Sequence, residues 1–179
     1  MKKPLLIASL VSLLCFTVGC QNKAEKVELE KFRAQAKLEE QNIEVVRNVF
    51  AAIDINDFDK LREFASDDFS LNSAGLPEAL HLDGAIQVLK AQYASIPDLK
   101  HVIEEIIAEG EKVAVKLVQV GTHKAKYPGI PATDKKITMP TMCLLTIING
   151  KVKKFWVVED FLGFYRQLGM ELKPKEVKK

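Results

Sequence analysis

The dipeptide Asn149-Gly150 stands between two long apolar runs, Ile137 to Ile148 and Val152 to Phe161. Asn-Gly readily adopts the two positive φ values of a type I′ turn, so the runs are predicted to pair as an antiparallel hairpin. A two-residue turn sets the register: Trp156 faces Cys143, Val158 faces Thr141 and Asp160 faces Met139. Side chains alternate along a strand. Val152, Trp156, Val158 and Asp160 are therefore expected on one face with Ile147, Leu145, Cys143, Thr141 and Met139, and Glu159 on the other. That face is apolar apart from Lys154. A carboxylate on such a face is desolvated, which raises its pKa and suits it to acid or base work near neutral pH. Asp160 could equally cap a short segment beginning at Phe161-Leu162-Gly163. The residues alone leave both roles open.

Upstream of the hairpin the apolar period is helical. Leu38, Val45-Val46, Val49-Phe50 and Ile53 recur at helical spacing. Asn56-Asp57 breaks that helix, and Asp57 can cap a second one carrying Phe58, Leu61 and Phe64. Phe69-Ser70-Leu71 reads as a short extended piece, and Gly75 and Pro77 as a loop. A third helix opens at Asp83-Gly84 and carries Ile86, Leu89, Tyr93 and Ile96, ending at Ile96-Pro97-Asp98. Beyond Pro97 the period becomes two: Leu99 to Ala108 and Val113 to Val120 are strands about the turn Glu109 to Lys112. Helices first and antiparallel strands second make an α+β domain with about three helices on one face of the sheet. With Gly110-Glu111 at the centre of its turn, this earlier hairpin places Asp98 opposite His123. Asp98-His123 would then be either an acid/base couple or a structural closure of the strand ends. His81 and His101 read as ordinary surface or core histidines.

The first residues have a separate logic. Lys2-Lys3 followed by the apolar run Leu5 to Val18 has the form of a secretory signal, too short to span a bilayer as a ~20-residue helix. Thr17-Val18-Gly19-Cys20 resembles a bacterial lipobox, which would acylate Cys20. Ordinary cleavage with a free Cys20 thiol is the alternative. The expected division is therefore a signal peptide over 1–19, a polar tether over 20–31, a domain over 32–170 and a basic tail over 171–179. The protein would be exported and lipid-anchored, and Gln21 after the cysteine favours the periplasmic side of an outer membrane in a Gram-negative cell. Lys2 and Lys3 account for the whole formal charge of +2, so no basic field remains to attract nucleic acid. Cys143 would be the one thiol of the mature fold, buried as a small hydrophobe.

Gly121-Thr122-His123, Gly129-Ile130-Pro131-Ala132-Thr133, Asn149-Gly150-Lys151-Val152, Trp156, Asp160 and Gln167-Leu168-Gly169 occur in an order and spacing similar to the SnoaL-like polyketide cyclase (ester cyclase) family. This is part of the nuclear transport factor 2-like superfamily. Asn48 to Phe64 resembles its opening helix pair and Ile96 to Leu99 its Pro-Asp element. The resemblance implies a cone, a strongly curved antiparallel sheet around helices enclosing an apolar pocket, and commonly a homodimer through the sheet. It also implies cofactor-free, metal-free acid/base chemistry on a small hydrophobic carbonyl or ester compound. Asp160 would be the acid and base of an intramolecular aldol closure, with His123 as candidate assistant. Trp156, Val158, Met139, Thr141, Cys143, Phe50 and Tyr93 would line the ligand site. Lys154 replaces the acidic residue the family commonly carries there. The alternative function is a non-catalytic lipoprotein that binds a small hydrophobic ligand. A structural partner using the open sheet face is a third.

Overall fold

The computed structural model describes residues 4–74, 76–171 and 173, with side chains described from Lys23 onward. Cys20 and the basic tail from residue 174 lie outside the described side chains. The chain divides into two compact units, residues 1–38 and 39–179. Helix α1 (Pro4–Asp54) runs through both. The segment expected as a tether, 20–31, is helical because Gln21 to Asp54 contains no glycine or proline and is rich in Ala, Glu, Lys, Gln and Leu. Leu38, expected on the buried stripe, is exposed, whereas Val46, Val49, Phe50 and Ile53 are buried.

Within residues 39–179, α2 (Phe58–Phe64) follows a break at Asn56, whose φ is 57°. The Asp57 carboxylate accepts a hydrogen bond from the Lys60 amide at 2.9 Å, the cap expected of it. Strand β1 (Ala65–Ser73) is longer than its sequence pattern suggested, because backbone pairing with β5 carries it through polar residues. Helix α3 (Leu82–Ser95) is followed by β2 (Lys100–Glu109), β3 (Lys112–Thr122), β4 (Lys136–Ile148) and β5 (Lys151–Glu159). A last helix, α4 (Phe161–Leu168), ends at Gly169, whose φ of 94° closes it in the left-handed region.

The strands form one sheet in the order β1-β5-β4-β3-β2, antiparallel except for the parallel β1–β5 pair. Its inner face packs on the buried stripes of α1 and α3. Ile137, Met139, Thr141, Cys143, Leu145 and Ile147 of β4 and Val113, Val115, Leu117 and Gln119 of β3 are all buried, as strict alternation requires.

The register of the two outer hairpins differs from the expected one. Beside the Asn149-Gly150 turn, Ile148 pairs with Lys151 and Ile147 with Val152 as predicted. Thr146 then pairs with Lys154, leaving Lys153 as an extra residue. This β-bulge shifts every later pair by one: Leu144 faces Trp156, Met142 faces Val158 and Thr141 faces Glu159. The expected pairs of Trp156 with Cys143 and Asp160 with Met139 do not form. Trp156, Val158 and Asp160 lie on the exposed face, and Phe155, Val157 and Glu159 take the inner one. The β2–β3 hairpin repeats the event at Glu104, between the pairs Ile103–Leu117 and Glu105–Lys116. Asp98 consequently meets Thr122 rather than His123, accepting from its amide at 2.6 Å and its hydroxyl at 2.8 Å. Those bonds hold the Asp98 carboxyl below the usual carboxylate range.

Candidate functional site

Between the inner face of the sheet and the helices lies a cavity of about 480 Å³. Its wall is largely apolar: Phe50 and Ile53 from α1, Leu82 and Leu89 from α3, Leu117, Cys143, Phe155 and Val157 from the sheet. His101, Gln119, Thr141, Glu159, Tyr127 and Tyr165 bring polar groups into it, and among the described residues no Lys or Arg lines it. Such an enclosure suits a neutral, mainly apolar molecule.

Glu159 stands half-buried at the end of β5, placed there by the Lys153 bulge. Its Oε1 accepts a hydrogen bond from Gln119 Nε2 at 2.7 Å. Burial raises the Glu159 carboxyl above the usual carboxylate range, while the Gln119 bond and the nearby His101 pull it down; burial prevails. Gln119 is 3% exposed, and its Nε2 also donates to Thr141 Oγ1 at 3.1 Å, yet its Oε1 is buried without a partner. Thr141 in turn donates to the Met139 carbonyl at 3.2 Å. An apolar wall with one desolvated carboxylate and one unsatisfied amide oxygen is equipped to hold a polar group of a bound molecule and exchange a proton with it.

Tyr127 enters the cavity from the loop after β3. Tyr127 and Ile130 bond each other's backbone across Pro128-Gly129, with Gly129 at φ 80°, the residue pair and dihedral of a type II turn. The ring packs edge-on to Phe164 at 5.2 Å. Burial pushes its hydroxyl pKa up to about 12.

The expected site residues are distributed as follows. Phe50, Thr141 and Cys143 line the cavity. Burial, with the charge of Glu159, pushes the Cys143 thiol to about 12, so it behaves as a small apolar residue. Met139 and Tyr93 are buried but outside the wall, Tyr93 reaching Asp54 through its hydroxyl at 3.4 Å. Trp156 and Val158 are on the opposite face of the sheet, because of the bulge. Asp160 is exposed and caps α4, its Oδ1 accepting from the Gly163 amide at 2.8 Å. A Cβ at residue 163 would meet that carboxylate, so any other residue there requires the Asp160 side chain to shift. His123 is fully buried outside the wall; its Nδ1 lies 3.0 Å from Thr133 Oγ1, and its Nε2 has no partner. It ties down the loop that carries Tyr127, touching that ring edge-on at 6.5 Å.

Sequence reasoning missed Glu159, Gln119 and His101. The available signal was Lys154, the lone charge on the face expected to be apolar: a lysine in mid-face marks a register that has slipped. In β2 the adjacent pair Glu104-Glu105 is the same kind of mark. Among the described residues no three of His, Cys, Asp and Glu cluster as metal ligands.

The sequence pattern of the SnoaL-like polyketide cyclases matches residues 43–168, which include the whole cavity wall. The chain belongs to the SnoaL-like polyketide cyclase family. Among similar proteins, aklanonic acid methyl ester cyclase of Streptomyces sp. strain C5 is 31% identical over 135 residues, spanning 71% of this chain and 81% of that one. Nogalonic acid methyl ester cyclase of Streptomyces nogalater is 29% identical over 119 residues, 62% of this chain and 84% of that one. The fold of this SnoaL-like protein is shared with IdmH of Streptomyces antibioticus (TM-score 0.68, 22% identity, 73% of this chain and 99% of that one). It is also shared with a protein named as a SnoaL-like polyketide cyclase from Jannaschia sp. CCS1 (TM-score 0.69, 22% identity, 75% and 96%).

Proposed function

We propose that this SnoaL-like protein performs acid/base chemistry on a small, neutral, hydrophobic carbonyl or ester compound, with Glu159 in the role that the sequence suggested for Asp160. The observation that carries this is a desolvated carboxylate in the wall of an otherwise apolar cavity. In an intramolecular aldol closure, ionised Glu159 takes the proton α to a carbonyl and the enolate attacks a second carbonyl of the same molecule. The protonated Glu159 then returns its proton to the alkoxide. A raised pKa strengthens the base and keeps the acid form accessible near neutrality. The names of the relatives supply test compounds, aklanonic and nogalonic acid methyl esters. Glu159→Gln is expected to lower turnover by roughly 10²- to 10⁴-fold with ligand affinity kept, and Asp160→Asn to leave turnover nearly intact. The reverse ranking would overturn the assignment.

The apolar wall, with no Lys or Arg among the described residues, also favours a second reading, a carrier of a hydrophobic ligand. Native mass spectrometry of protein taken from its own membrane would then find unmodified ligand, with no turnover of the esters. For either role the protein is proposed to be exported and held at the membrane through an acylated Cys20, which Cys20→Ser would release into the soluble fraction. A second copy is the proposed occupant of the outer sheet face.

A further inference from the structure

The proton chemistry proposed above leaves His101 unused, although the Glu104 bulge turns it onto the cavity wall. Its Nδ1 lies 2.7 Å from Asp54 Oδ1, at the end of α1. The same carboxylate oxygen accepts the backbone amide of His101 at 3.1 Å and the Tyr93 hydroxyl at 3.4 Å. An oxygen that accepts from these two donors is an acceptor toward the ring as well, so Nδ1 carries the hydrogen and Nε2 the lone pair. The ring is wedged against Phe50, centroids 5.5 Å apart, which fixes its orientation. Its side chain is only 6% exposed.

We propose that His101 is a second proton carrier of the cavity, positioned by Asp54 with its Nε2 lone pair offered to the bound carbonyl compound, so that His101 and Glu159 divide the transfers. This rests on the carbonyl chemistry proposed above and moves its first proton transfer from Glu159 to His101. Nε2 takes the proton α to the carbonyl, and the electron pair of that C–H bond passes into the enolate and then into the new C–C bond. The imidazolium formed sits against the Asp54 carboxylate. Protonated Glu159, the form favoured by burial, gives its proton to the oxygen of the attacked carbonyl and becomes a carboxylate. Passage of a proton from His101 back to Glu159 resets the site. No proton or electron is gained or lost, and no other reactant is consumed. Dividing the work lets Glu159 begin as the acid, whereas a single carboxylate must begin ionised in a place where burial disfavours its charge.

The test uses the full chain and 2-tetralone, an apolar bicyclic ketone, in D2O, with NMR following deuterium exchange at the carbon α to the carbonyl. Wild type is expected to exchange faster than buffer. At saturating ketone, His101→Gln should slow exchange at least roughly tenfold, and Glu159→Gln should slow closure of the aklanonic and nogalonic acid methyl esters by at least the same factor. His101→Phe, which keeps the packing on Phe50, should match His101→Gln and so separates chemistry from folding. Ring-nitrogen NMR should show hydrogen on Nδ1 of His101 in wild type and on Nε2 in Asp54→Asn, with Asp54→Glu restoring the wild-type tautomer and part of the rate. Unchanged exchange in both His101 variants, or hydrogen on Nε2 in wild type, overturns the role of His101 and leaves that of Glu159 standing. Slowing of exchange by the His101 variants without slowing of ester closure by Glu159→Gln overturns the role of Glu159 instead. Absence of wild-type exchange above buffer overturns both.

Discussion

Glu159 and Asp160 are adjacent carboxylates with opposite circumstances, one turned into an apolar cavity and one capping a helix in solvent. The difference has a thermodynamic consequence that does not depend on any substrate. Because burial raises the Glu159 pKa in the folded state, the native protein binds that proton more tightly than the unfolded chain does. Its contribution to stability is thus present below the ordinary glutamate range and lost as pH rises through the raised folded value. Glu159→Gln cannot ionise and keeps an amide oxygen for Gln119. Thermal melts should therefore show the variant more stable than wild type near pH 8, with the gap closing toward pH 4. A gap that is constant with pH would mean that Glu159 is not desolvated. The helix cap was one of the two roles that the residues left open for Asp160, and it needs only the local geometry of Asp-Phe-Leu-Gly. That Glu159 would face the cavity was marked only by Lys154, because Phe155-Trp156-Val157-Val158 is apolar on both faces and adds no evidence for either register.

At the scale of single elements, two extra residues decide what the cavity contains. Lys153 in β5 puts Glu159 inside, and Glu104 in β2 puts His101 inside. The Lys153 bulge lies in β5, between β1 and β4, and the Glu104 bulge in β2, at the edge of the sheet. Lys153 is further held by an ion pair with Asp68, 2.6 Å away in the irregular part of β1. Both partners are largely exposed, so the pair contributes little by itself, and the bulge persists mainly because Phe155 and Val157 are buried by it. Deleting Lys153 removes the extra residue and keeps Thr146 opposite Lys154 and Leu144 opposite Trp156, so Phe155 and Val157 stay inside. The expected result is a stability within roughly 1 kcal/mol of wild type in urea unfolding. A loss of roughly 4 kcal/mol or more would show that the bulge itself, and not the packing of Phe155 and Val157, holds the register.

The same shift changes the outside of the molecule. Ile107, Ala114, Leu144 and Trp156 align across four strands on the outer sheet face, with Met142 and Val158 beside them. Trp156 is 49% exposed and Met142 50%. With the simple register Trp156 and Val158 would be core residues and this stripe would be broken; with the bulge it is continuous. A stripe of this kind centred on a tryptophan is what a dimer of two such faces would bury. Trp156→Glu is expected to convert a dimer to a monomer in light scattering behind size exclusion, while the melting temperature of the cavity-bearing unit changes little. Wild type running as a monomer at tens of micromolar would remove the basis for the outer face as an interface.

Local chemistry in the sequence was enough to determine the Asn149-Gly150 turn, the Asp57 cap, the change from helical to strand period after Pro97, and the burial of alternate residues along β4. Each depends on a residue and its immediate neighbours, or on a period sustained for many residues. The spaced motifs from Gly121 to Gly169 were enough to indicate the family. Which carboxylate enters the cavity, which histidine accompanies it and which aromatic residue is left outside were decided by tertiary structure. A bulge costs little and leaves almost no local trace. It is selected by the sum of contacts on a whole sheet face, and a shift of one residue there exchanges every side chain beyond it.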